Sequence, residues 1–400
     1  MHILLVADGR SPITLGWLES LLTLGYQVTL VSSYPCQPPV GINALHVLPI
    51  AFSWISAAPK SGQGKRSAAR GLVKSFRKTF LAVRYLLAPL SIRYYSPRFR
   101  KLVDQIKPDL VHALRIPYEG MLASYTADGV PLAVSTWGND LTLHAAHSRA
   151  MAAFTRKTLE RADGLHTDTK RDMRLGLEWG FPANRPGLVA PGNSGIDLDQ
   201  VQQVRAPLPP EIEALIPKDH TLIINPRGLR AYTRTETFFR SIPLILEKEP
   251  NTAILCPSMA GEPEAERWKA AIQADERVVL LPSLSQGQLW ELFTRCPVSV
   301  SITNHDGTPN TLLEAMACGS FPIAGDIESL REWIIPGENG FLVNPDSPEA
   351  LAEAVISSLK DSKLRALANH YNLEMVRERA EVSQIRPGIA AFYRKVVGLG

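Results

Sequence analysis

Cysteine is scarce in this chain, and no metal-binding pattern is present. There is no Cys-x-x-Cys pair, and no cysteine and histidine stand at the spacing of a zinc site. The four cysteines are scattered, at positions 36, 256, 296 and 318. Scattered cysteines are typical of proteins in a reducing compartment, so we expect a cytoplasmic protein without a metal site.

Long hydrophobic runs are absent as well. A membrane-spanning helix needs about 20 apolar residues, and the nearest run, at residues 80–90, is interrupted by Arg84. The first residues have no basic region and reach an acid at Asp8. They therefore predict a buried strand and not a signal peptide.

Motifs of several enzyme classes are missing. The first predicted strand is followed by Asp-Gly-Arg-Ser-Pro (residues 8–12) and not by the Gly-x-Gly-x-x-Gly of a dinucleotide-binding turn. This difference argues against a nicotinamide-dependent dehydrogenase. No Walker A sequence, no Gly-x-Ser-x-Gly and no His-Glu-x-x-His occurs.

Acidic residues are missing between Glu19 and Asp104, a stretch that holds twelve lysines and arginines although the chain's net charge is only +4. Basic and apolar residues alternate there at helical spacing, and two interpretations are open. In one, residues 60–101 lie on an anionic membrane surface. In the other, the apolar stripe packs on the protein's own domain and the cations face solvent. No nucleic-acid recognition module is visible, so we predict no nucleic-acid partner.

The length of 400 residues predicts two domains. Apolar strands alternate with helices, which is typical of α/β domains with parallel sheets. Prolines near residues 207–217 indicate the boundary, so we predict domains at 1–205 and 206–383. Strands are predicted at residues 2–7, 27–32, 108–112, 132–136, 221–225, 252–256, 278–281, 298–302, 320–324 and 340–343. Helices are predicted at residues 13–24, 120–127, 236–247, 264–274, 286–293, 312–317 and 348–359.

Two acids eight positions apart, Asp306 and Glu314, carry the clearest chemical signal. Asp306 lies in a Gly/Pro-rich turn after an apolar strand, and Glu314 lies in the first turns of the following helix. Outward backbone N–H groups and the helix dipole favour anions and hydroxyl groups at such a helix start. A carboxylate there can accept two hydrogen bonds from a vicinal diol, such as that of a ribose. The alternative is an acid that only stabilises the helix dipole.

The segment around these acids resembles the family 4 retaining glycosyltransferases, the "group 1" family with the two-Rossmann GT-B fold. The family pattern is Glu, seven residues, Glu, then Ala-Met-Ala-x-Gly-x-Pro, and residues 313–324 read Leu-Glu-Ala-Met-Ala-Cys-Gly-Ser-Phe-Pro-Ile-Ala. Residues 337–343, Gly-Glu-Asn-Gly-Phe-Leu-Val, continue the likeness. Residues 108–113 resemble the family's Pro-Asp-x-Val-His, residues 189–197 its Pro-x-Gly-x-Asp, and residues 137–140 stand where it has His-Gly-x-Asp.

This resemblance covers nearly the whole chain and implies an α/β fold of GT-B type, with two Rossmann-like domains facing across a cleft. The first domain, residues 1–205, is then the acceptor domain. The second, residues 206–383, is the nucleotide-sugar donor domain. The last residues, about 384–400, are expected to form a helix that returns to the first domain.

For the donor, the resemblance implies that Glu314 binds the ribose of a nucleotide sugar. Asp306 replaces a glutamate of the family pattern and is shorter by one methylene, so its contact to the sugar is expected to shift or to pass through water. The residues implied around the donor sugar are Asp306, Gly307, Thr308, Pro309 and Asn310.

The family's phosphate-binding Arg and Lys follow the first strand of the second domain. Arg227 matches the arginine, whereas the lysine position is Thr233, so the second cation is Arg230 or Arg234. We include Arg234 with Arg227 and Asp306 as catalytic candidates. A diphosphate leaving group needs positive charge as its bond breaks, and arginine supplies it through bidentate contacts. The only Asp-x-Asp, residues 197–199, lies by the linker, in agreement with a metal-independent site.

The first domain contributes five further candidates. Gly9 lets the backbone approach the diphosphate or the acceptor closely, and Arg10 is expected to reach either substrate. Trp137 replaces the family's histidine and either stacks on a sugar ring or belongs to the core. Asp140 is expected to contact the site. His112 is predicted at a strand end facing the cleft, as either a structural or a catalytic histidine.

The resemblance thus predicts a metal-independent retaining hexosyltransferase that moves a sugar from a nucleotide sugar to an acceptor hydroxyl, without a cofactor. The expected acceptor is a lipid or glycan precursor, and residues 60–101 would then hold a cytoplasmic enzyme at the inner face of a membrane. Two alternatives stay open: another GT-B enzyme such as a sugar-nucleotide epimerase, and a non-catalytic nucleotide-sugar-binding protein.

Overall fold

The computed structural model describes residues 1–52, 77–192, 194–273 and 276–399. The chain divides into two compact units, Met1–Ser194 with Arg386–Gly400, and Gly195–Ile385. Each unit is a parallel sheet with helices packed against it, as the alternation of strands and helices predicted.

The first unit is built on a parallel sheet with seven strands among the described residues, in the order β3-β2-β1-β4-β5-β6-β7. Its central strands are buried on both faces, which is why they appear as continuous apolar runs in the sequence. Leu5 pairs with Leu30 on one side and with His112 on the other. The strands are β1 (His2–Ala7), β2 (Gln27–Ser32), β3 (Ala44–Val47), β4 (Leu110–Leu114), β5 (Leu132–Thr136), β6 (Gly164–Thr167) and β7 (Gly187–Val189).

The helices of this unit begin where the sequence supplies suitable residues. The first starts at a proline, whose missing N–H has no partner to lose at that position. Two others are capped by the hydroxyl groups of Ser148 and Thr169. The helices are α1 (Pro12–Thr23), α2 (Arg77–Ile106), α3 (Met121–Ala123), α4 (Arg149–Arg161) and α5 (Lys170–Glu178), with short helical turns at Ile50–Phe52, Ile116–Gly120, Asp140–His144 and Ala145–His147.

The second unit contains a parallel sheet with six strands among the described residues, in the order β10-β9-β8-β11-β12-β13. The strands are β8 (Thr221–Ile224), β9 (Thr252–Cys256), β10 (Val278–Leu280), β11 (Val298–Ser301), β12 (Phe321–Gly325) and β13 (Phe341–Val343). The helices are α6 (Leu198–Gln203), α7 (Pro210–Glu213), α8 (Thr235–Lys248), α9 (Pro263–Ala271), α10 (Gln286–Arg295), α11 (Asn310–Ala317), α12 (Pro348–Lys360) and α13 (Ser362–Arg379), with a short turn at Leu330–Glu332.

Residues 195–205, which the proline pattern assigned to the first domain, pack in the second unit. Ile196, Leu198 and Val201 are buried in its core, and the Ile196 N–H donates to the Ala380 carbonyl at 2.7 Å. The last helix, α14 (Val382–Val396), follows, and the chain from Arg386 onward belongs to the first unit.

Two of the predicted helical segments differ from the structure or extend beyond its described residues. The one at residues 120–127 is reduced to α3: residues 116–120 form a separate turn before it, and Ser124 is already its C-cap. Of the basic segment at 60–101, residues 60–76 lie outside the described residues, and α2 begins at Arg77. Over the ranges that the structure covers, no helix is both long enough and apolar enough to cross a bilayer.

Candidate functional site

In the second unit, the predicted donor residues come from two neighbouring strands. Strands β8 and β11 pair in parallel, so their carboxyl ends lie at the same edge of the sheet. Arg227 follows β8, and Asp306 follows β11 in the loop that leads into α11. Ligands bind at this edge in open parallel sheets, so the topology alone places both candidates where a ligand site is expected.

Arg227 and Asp306 form an ion pair. The Arg227 Nη2 lies 2.6 Å from the Asp306 Oδ2, and both side chains are nearly buried. The Arg227 Nη1 also donates to the Thr311 hydroxyl at 3.2 Å, so the guanidinium connects the loop to the first turn of α11. The cation predicted for the diphosphate and the acid predicted for the sugar therefore contact each other directly.

The turn between Asp306 and α11 has little side-chain capping. The Gly307 N–H donates to the Asp306 Oδ1 at 3.2 Å, and Thr308 is buried with its hydroxyl in a hydrogen bond. Pro309 stands at the N-cap of α11, and no side chain caps the helix there. The first backbone N–H groups of the helix, beginning with that of Asn310, therefore give the loop a positive electrostatic character.

Glu314 lies one turn into α11 and is buried, with 4% of its surface exposed. The Gln286 side-chain amide, at the start of α10, donates to its Oε1 at 2.8 Å. Burial raises the pKa of Glu314 to about 7, and the hydrogen bond from Gln286 opposes that rise. Burial makes the charged form of a carboxyl group energetically unfavourable, and groups whose pKa is raised in this way are concentrated at functional sites.

The two alternatives for the second cation differ in position. Arg234 and Arg227 line the same small cavity, together with Asn225, Gly228 and Thr233, whereas Arg230 does not line it. Arg234 forms an ion pair with Asp346. Arg230 is exposed, and its Nε donates to the Arg227 carbonyl at 3.3 Å.

The two cavity arginines hold unused donors. In the ranges that the structure covers, the buried Nε atoms of Arg227 and Arg234 have no hydrogen-bond partner. A guanidinium with a spare N–H is suited to an additional oxygen ligand such as a phosphate.

In the first unit, the structure gives Gly9 a packing role. A Cβ atom at Gly9 would lie 2.6 Å from the Cys36 sulfur, and the Gly9 N–H donates to the Ser32 hydroxyl at 3.0 Å. Arg10 pairs with Asp8, with two N–O distances of 3.0 Å, and its guanidinium lies 3.7 Å from the centre of the Tyr34 ring. Both residues remain at the carboxyl end of β1, but the absence of a side chain at Gly9 already has a structural reason.

His112 does not lie at a strand end, contrary to the prediction. It is the middle residue of β4, because the strand continues to Leu114, and it is fully buried. Its Nδ1 is 2.6 Å from the Tyr393 hydroxyl and its Nε2 is 2.9 Å from the Ser135 hydroxyl. The pKa of His112 is well below its usual value because of burial. It is therefore a structural histidine, one of the two roles that the sequence left open.

The hydrogen bonds around His112 form a chain with one consistent direction. His166 Nε2 faces the Ala190 carbonyl and must donate to it, so its Nδ1 accepts from Ser135. Ser135 then accepts from His112 Nε2, and His112 Nδ1 accepts from Tyr393. The Tyr393 oxygen finally accepts from the Trp17 indole. Every member is satisfied with both histidines neutral, and the chain connects α14 to the sheet of the first unit.

Asp140 is also buried, with 1% of its surface exposed. It accepts from the Arg115 guanidinium at 2.6 Å and from the backbone N–H groups of Ile116 and Trp137, each at 3.1 Å. Burial raises the pKa of Asp140, and Arg115 opposes that rise. Trp137 is half-buried, and the Arg115 guanidinium lies 4.8 Å from its ring centre. Asp140 thus holds together the loops that follow β4 and β5.

The sequence reasoning missed two charged residues of this edge, Arg115 and Glu119. Glu119 is buried, accepts from the Tyr118 N–H at 2.8 Å and from the Ser33 hydroxyl, and has a pKa raised by burial. A charged residue directly after a buried strand was the available signal, since Arg115 follows β4 without a gap. In the described part of the chain, no group of three or more His, Cys, Asp or Glu side chains is arranged to hold a metal ion.

Two family models match the chain, one after the other. A model described as "Glycosyl transferase 4-like domain" matches residues 9–192. A model described as "Glycosyl transferases group 1" matches residues 212–374. The two matches fall within the first and the second unit respectively.

Characterised relatives are distant and align in part. The chain is 26% identical over 170 residues to the lipopolysaccharide core biosynthesis mannosyltransferase LpcC of Rhizobium leguminosarum bv. viciae, covering 41% of this chain and 48% of that protein. It is 23% identical over 227 residues to the D-inositol 3-phosphate glycosyltransferase of Corynebacterium glutamicum (strain R), covering 54% of each. The chain thus spans about half the length of the curated relatives it matches.

The likeness to solved structures extends over the whole fold. The structure of Anabaena Alr3699/HepE in complex with UDP and glucose aligns with a TM-score of 0.69 at 15% identity, covering 98% of this chain and 99% of that one. At this identity the likeness concerns the fold alone.

Proposed function

Because the chain belongs to the group 1 glycosyltransferases and has their GT-B fold of two Rossmann-like units, we propose that it transfers a sugar from a nucleotide sugar to an acceptor hydroxyl. The observation that carries this proposal is the edge of the second sheet. This edge contains the buried carboxylate of Glu314, which lies in α11. It also contains the ion pair of Arg227 and Asp306, which follow two adjacent strands, β8 and β11.

Glu314 is proposed to bind the ribose. A vicinal diol donates two O–H groups, and a carboxylate accepts both without a change of geometry. Burial weakens competition from water, so each of these charge-assisted hydrogen bonds is stronger than it would be on the surface. The Gln286 amide, which now donates to Glu314, holds the carboxylate in place for this contact.

Arg227 and Arg234 are proposed to bind the diphosphate. They line one cavity, and each has a buried Nε without a partner among the described residues, whereas Arg230 is exposed. When the bond between the sugar and the diphosphate breaks, negative charge grows on the phosphate oxygens. Two fixed guanidinium groups stabilise that charge, which supports a reaction without a metal ion.

Asp306 is proposed to hold the sugar hydroxyls. In the structure it neutralises Arg227. A bound diphosphate offers Arg227 a more highly charged partner, and Asp306 is then available to accept hydrogen bonds from the sugar. The resemblance of residues 306–324 to the family pattern further supports a hexose donor and retention of the anomeric configuration.

The acceptor is proposed to be a lipid or a lipid-linked glycan at an anionic membrane. The support comes from the described part of α2, where one stripe of exposed residues combines apolar and basic side chains. These residues recur at helical spacing, and Leu90 and Tyr94 are 60% and 63% exposed. The stripe consists of Leu90, Arg93, Tyr94, Arg98 and Lys101. The name of the Rhizobium relative, a lipopolysaccharide core mannosyltransferase, agrees with such an acceptor.

The function is tested with a panel of UDP-, GDP- and ADP-sugars. We expect at least one member to raise the melting temperature of the wild-type protein and to raise that of a Glu314→Gln, Arg227→Ala double variant much less. Equal shifts in both proteins, or no shift with any member, would contradict the proposal. Conversion of the bound sugar nucleotide to an epimer in the absence of an acceptor would instead favour an epimerase.

A further inference from the structure

The loop that carries Asp306 is held by a neighbouring turn that no sequence pattern predicted. Ser329 and Trp333 lie four residues apart, one at the start and one just after the short turn Leu330–Glu332. The Ser329 hydroxyl donates to the Asp306 backbone carbonyl at 2.8 Å. The Trp333 indole N–H donates to the Thr308 hydroxyl at 2.9 Å. One helical turn therefore contacts the loop at two points.

These contacts are shielded from water. Ser329 has no exposed surface, and Thr308 and Trp333 are 6% and 4% exposed. The turn itself is fixed by Leu330 and Ile334, which are both 1% exposed in the core of the second unit. A buried hydrogen bond to a firmly packed donor restricts the position of its acceptor more than an exposed one does, because water offers no alternative partner.

The turn is also supported on the side of α13. The Arg379 guanidinium lies 4.2 Å from the centre of the Trp333 ring, and its Nη1 donates to the Glu332 carbonyl at 2.7 Å. Arg379 thus contacts the ring and the backbone of the same turn. The indole can rotate neither away from Thr308 nor toward solvent without losing these contacts.

From this geometry we propose that Trp333 is a positioning residue for the transfer reaction, which acts through Thr308 to fix the loop that carries Asp306. The inference rests on the proposed function of that loop. An indole N–H group can only donate a hydrogen bond, and its acceptor here is the Thr308 hydroxyl. In this role Trp333 acts through Thr308 and needs no contact with the substrate. Its effect is on the geometry of the sugar-binding loop and not on the ribose contact of Glu314.

The substitutions that test this role separate the ring from its N–H group. Trp333→Phe keeps an aromatic ring and removes the donor, and Thr308→Val keeps the shape and removes the acceptor. Thr308→Ser keeps the hydroxyl and is expected to keep the hydrogen bond from the Trp333 indole. Trp268→Phe is the matched control, because Trp268 is half-buried on α9 and stacks on Phe239 away from the loop.

The first measurement needs no ligand. The chain has seven tryptophans, so a protein labelled with ¹⁵N-tryptophan gives few indole signals. We expect Thr308→Val to shift the Trp333 signal, identified by its loss in Trp333→Phe, and to speed the exchange of this N–H with solvent at least tenfold. Thr308→Ser should leave the signal near its wild-type position. An unchanged Trp333 signal in Thr308→Val would overturn the proposal.

The second measurement uses the nucleotide sugar of the panel that gives the largest thermal shift. It follows release of the nucleoside diphosphate from this donor, together with calorimetric binding of the same nucleoside diphosphate. Trp333→Phe and Thr308→Val should each lower kcat by roughly threefold to tenfold, the range that corresponds to one lost neutral hydrogen bond. The affinity for the nucleoside diphosphate should stay within about twofold of wild type, and the effect of Trp333→Phe should vanish in the Thr308→Val background. Additive losses of kcat, or an equal loss of affinity for the nucleoside diphosphate, would overturn the proposal. Failure of the proposed function has a different signature, namely that the wild-type protein binds no nucleotide sugar at all.

Discussion

Replacing Glu314 by glutamine is expected to stabilise the folded protein above neutral pH while weakening donor binding. The carboxylate is buried, and its pKa rises to about 7 from an ordinary value of 4.5 because burial disfavours the charged form. Glutamine is similar in shape and carries no charge. Its side-chain oxygen can still accept the hydrogen bond from Gln286.

The size of the effect follows from the pKa difference. At about 1.4 kcal/mol for each pKa unit, ionisation of Glu314 in the folded state costs roughly 3 kcal/mol. For a unit of this size, 1 kcal/mol corresponds to a change in melting temperature of about 2–4 °C. The variant is therefore expected to melt up to roughly 6–12 °C higher than the wild-type protein at pH 8.

The direction of the pH dependence is fixed by the raised pKa. Between about pH 4.5 and pH 7 the folded protein keeps a proton on Glu314 that the unfolded chain has already released. The wild-type free energy of unfolding therefore falls as the pH rises through this window. The advantage of the variant should be small near pH 4.5, should grow through the window and should reach its full size above pH 7.

Thermal melting at pH 5, 6, 7 and 8 measures this profile. The control is Glu338→Gln, which makes the same change of charge at a solvent-exposed position in the same unit. The control should show no comparable gain at high pH. A melting difference between wild-type and Glu314→Gln that is equal at pH 5 and pH 8 would refute the reasoning, because it would show that the folded environment does not disfavour the carboxylate.

Three further predictions follow from the structure. Arg227→Ala should lower turnover at least tenfold and donor affinity less, because phosphate charge grows during bond cleavage; turnover within twofold of wild-type would contradict this role. Tyr393→Phe should lower the free energy of unfolding, measured in urea, by roughly 2–4 kcal/mol, because the Trp17 indole and His112 both lose a buried partner. A decrease below about 1 kcal/mol would contradict the hydrogen-bond chain around His112. Arg98→Glu with Lys101→Glu should reduce co-flotation with anionic vesicles at low salt, since each basic residue near such a surface contributes about 1 kcal/mol; no flotation of the wild-type protein would exclude the membrane proposal.

The fold was largely predictable because the central strands are continuous apolar runs. Strands β1, β2, β5 and β9 have the predicted bounds, since each is buried and ends at a polar residue or a turn. The edge strands β3 and β7 were missed, because they are short and partly exposed and so lack an apolar run. The buried strand β6 was missed as well, because its four residues, Gly-Leu-His-Thr, include a single large apolar side chain. The boundary between the units was misplaced, because Ile196 joins the second core through a long-range contact with Ala380.

Only the part of the site that lies within one short stretch of the sequence was predictable. The motif around Asp306 and Glu314 lies in one strand–turn–helix segment, so the sequence gives both acids and their order. Their partners, Arg227 and Gln286, come from other parts of the chain, and the pairing depends on sheet order. His112 was placed wrongly, because an apolar run does not show how far its strand continues beyond a polar residue.

The central claim is that Glu314 and its neighbours form a nucleotide-sugar site, and calorimetric titration tests it most directly. The nucleotide sugar that gives the largest thermal shift is titrated into wild-type, Glu314→Gln and Glu338→Gln proteins. One charged hydrogen bond to a hydroxyl contributes roughly 1.5–3 kcal/mol, so Glu314→Gln should raise the Kd at least about tenfold, while Glu338→Gln leaves it unchanged. Equal affinity of all three proteins would contradict the account.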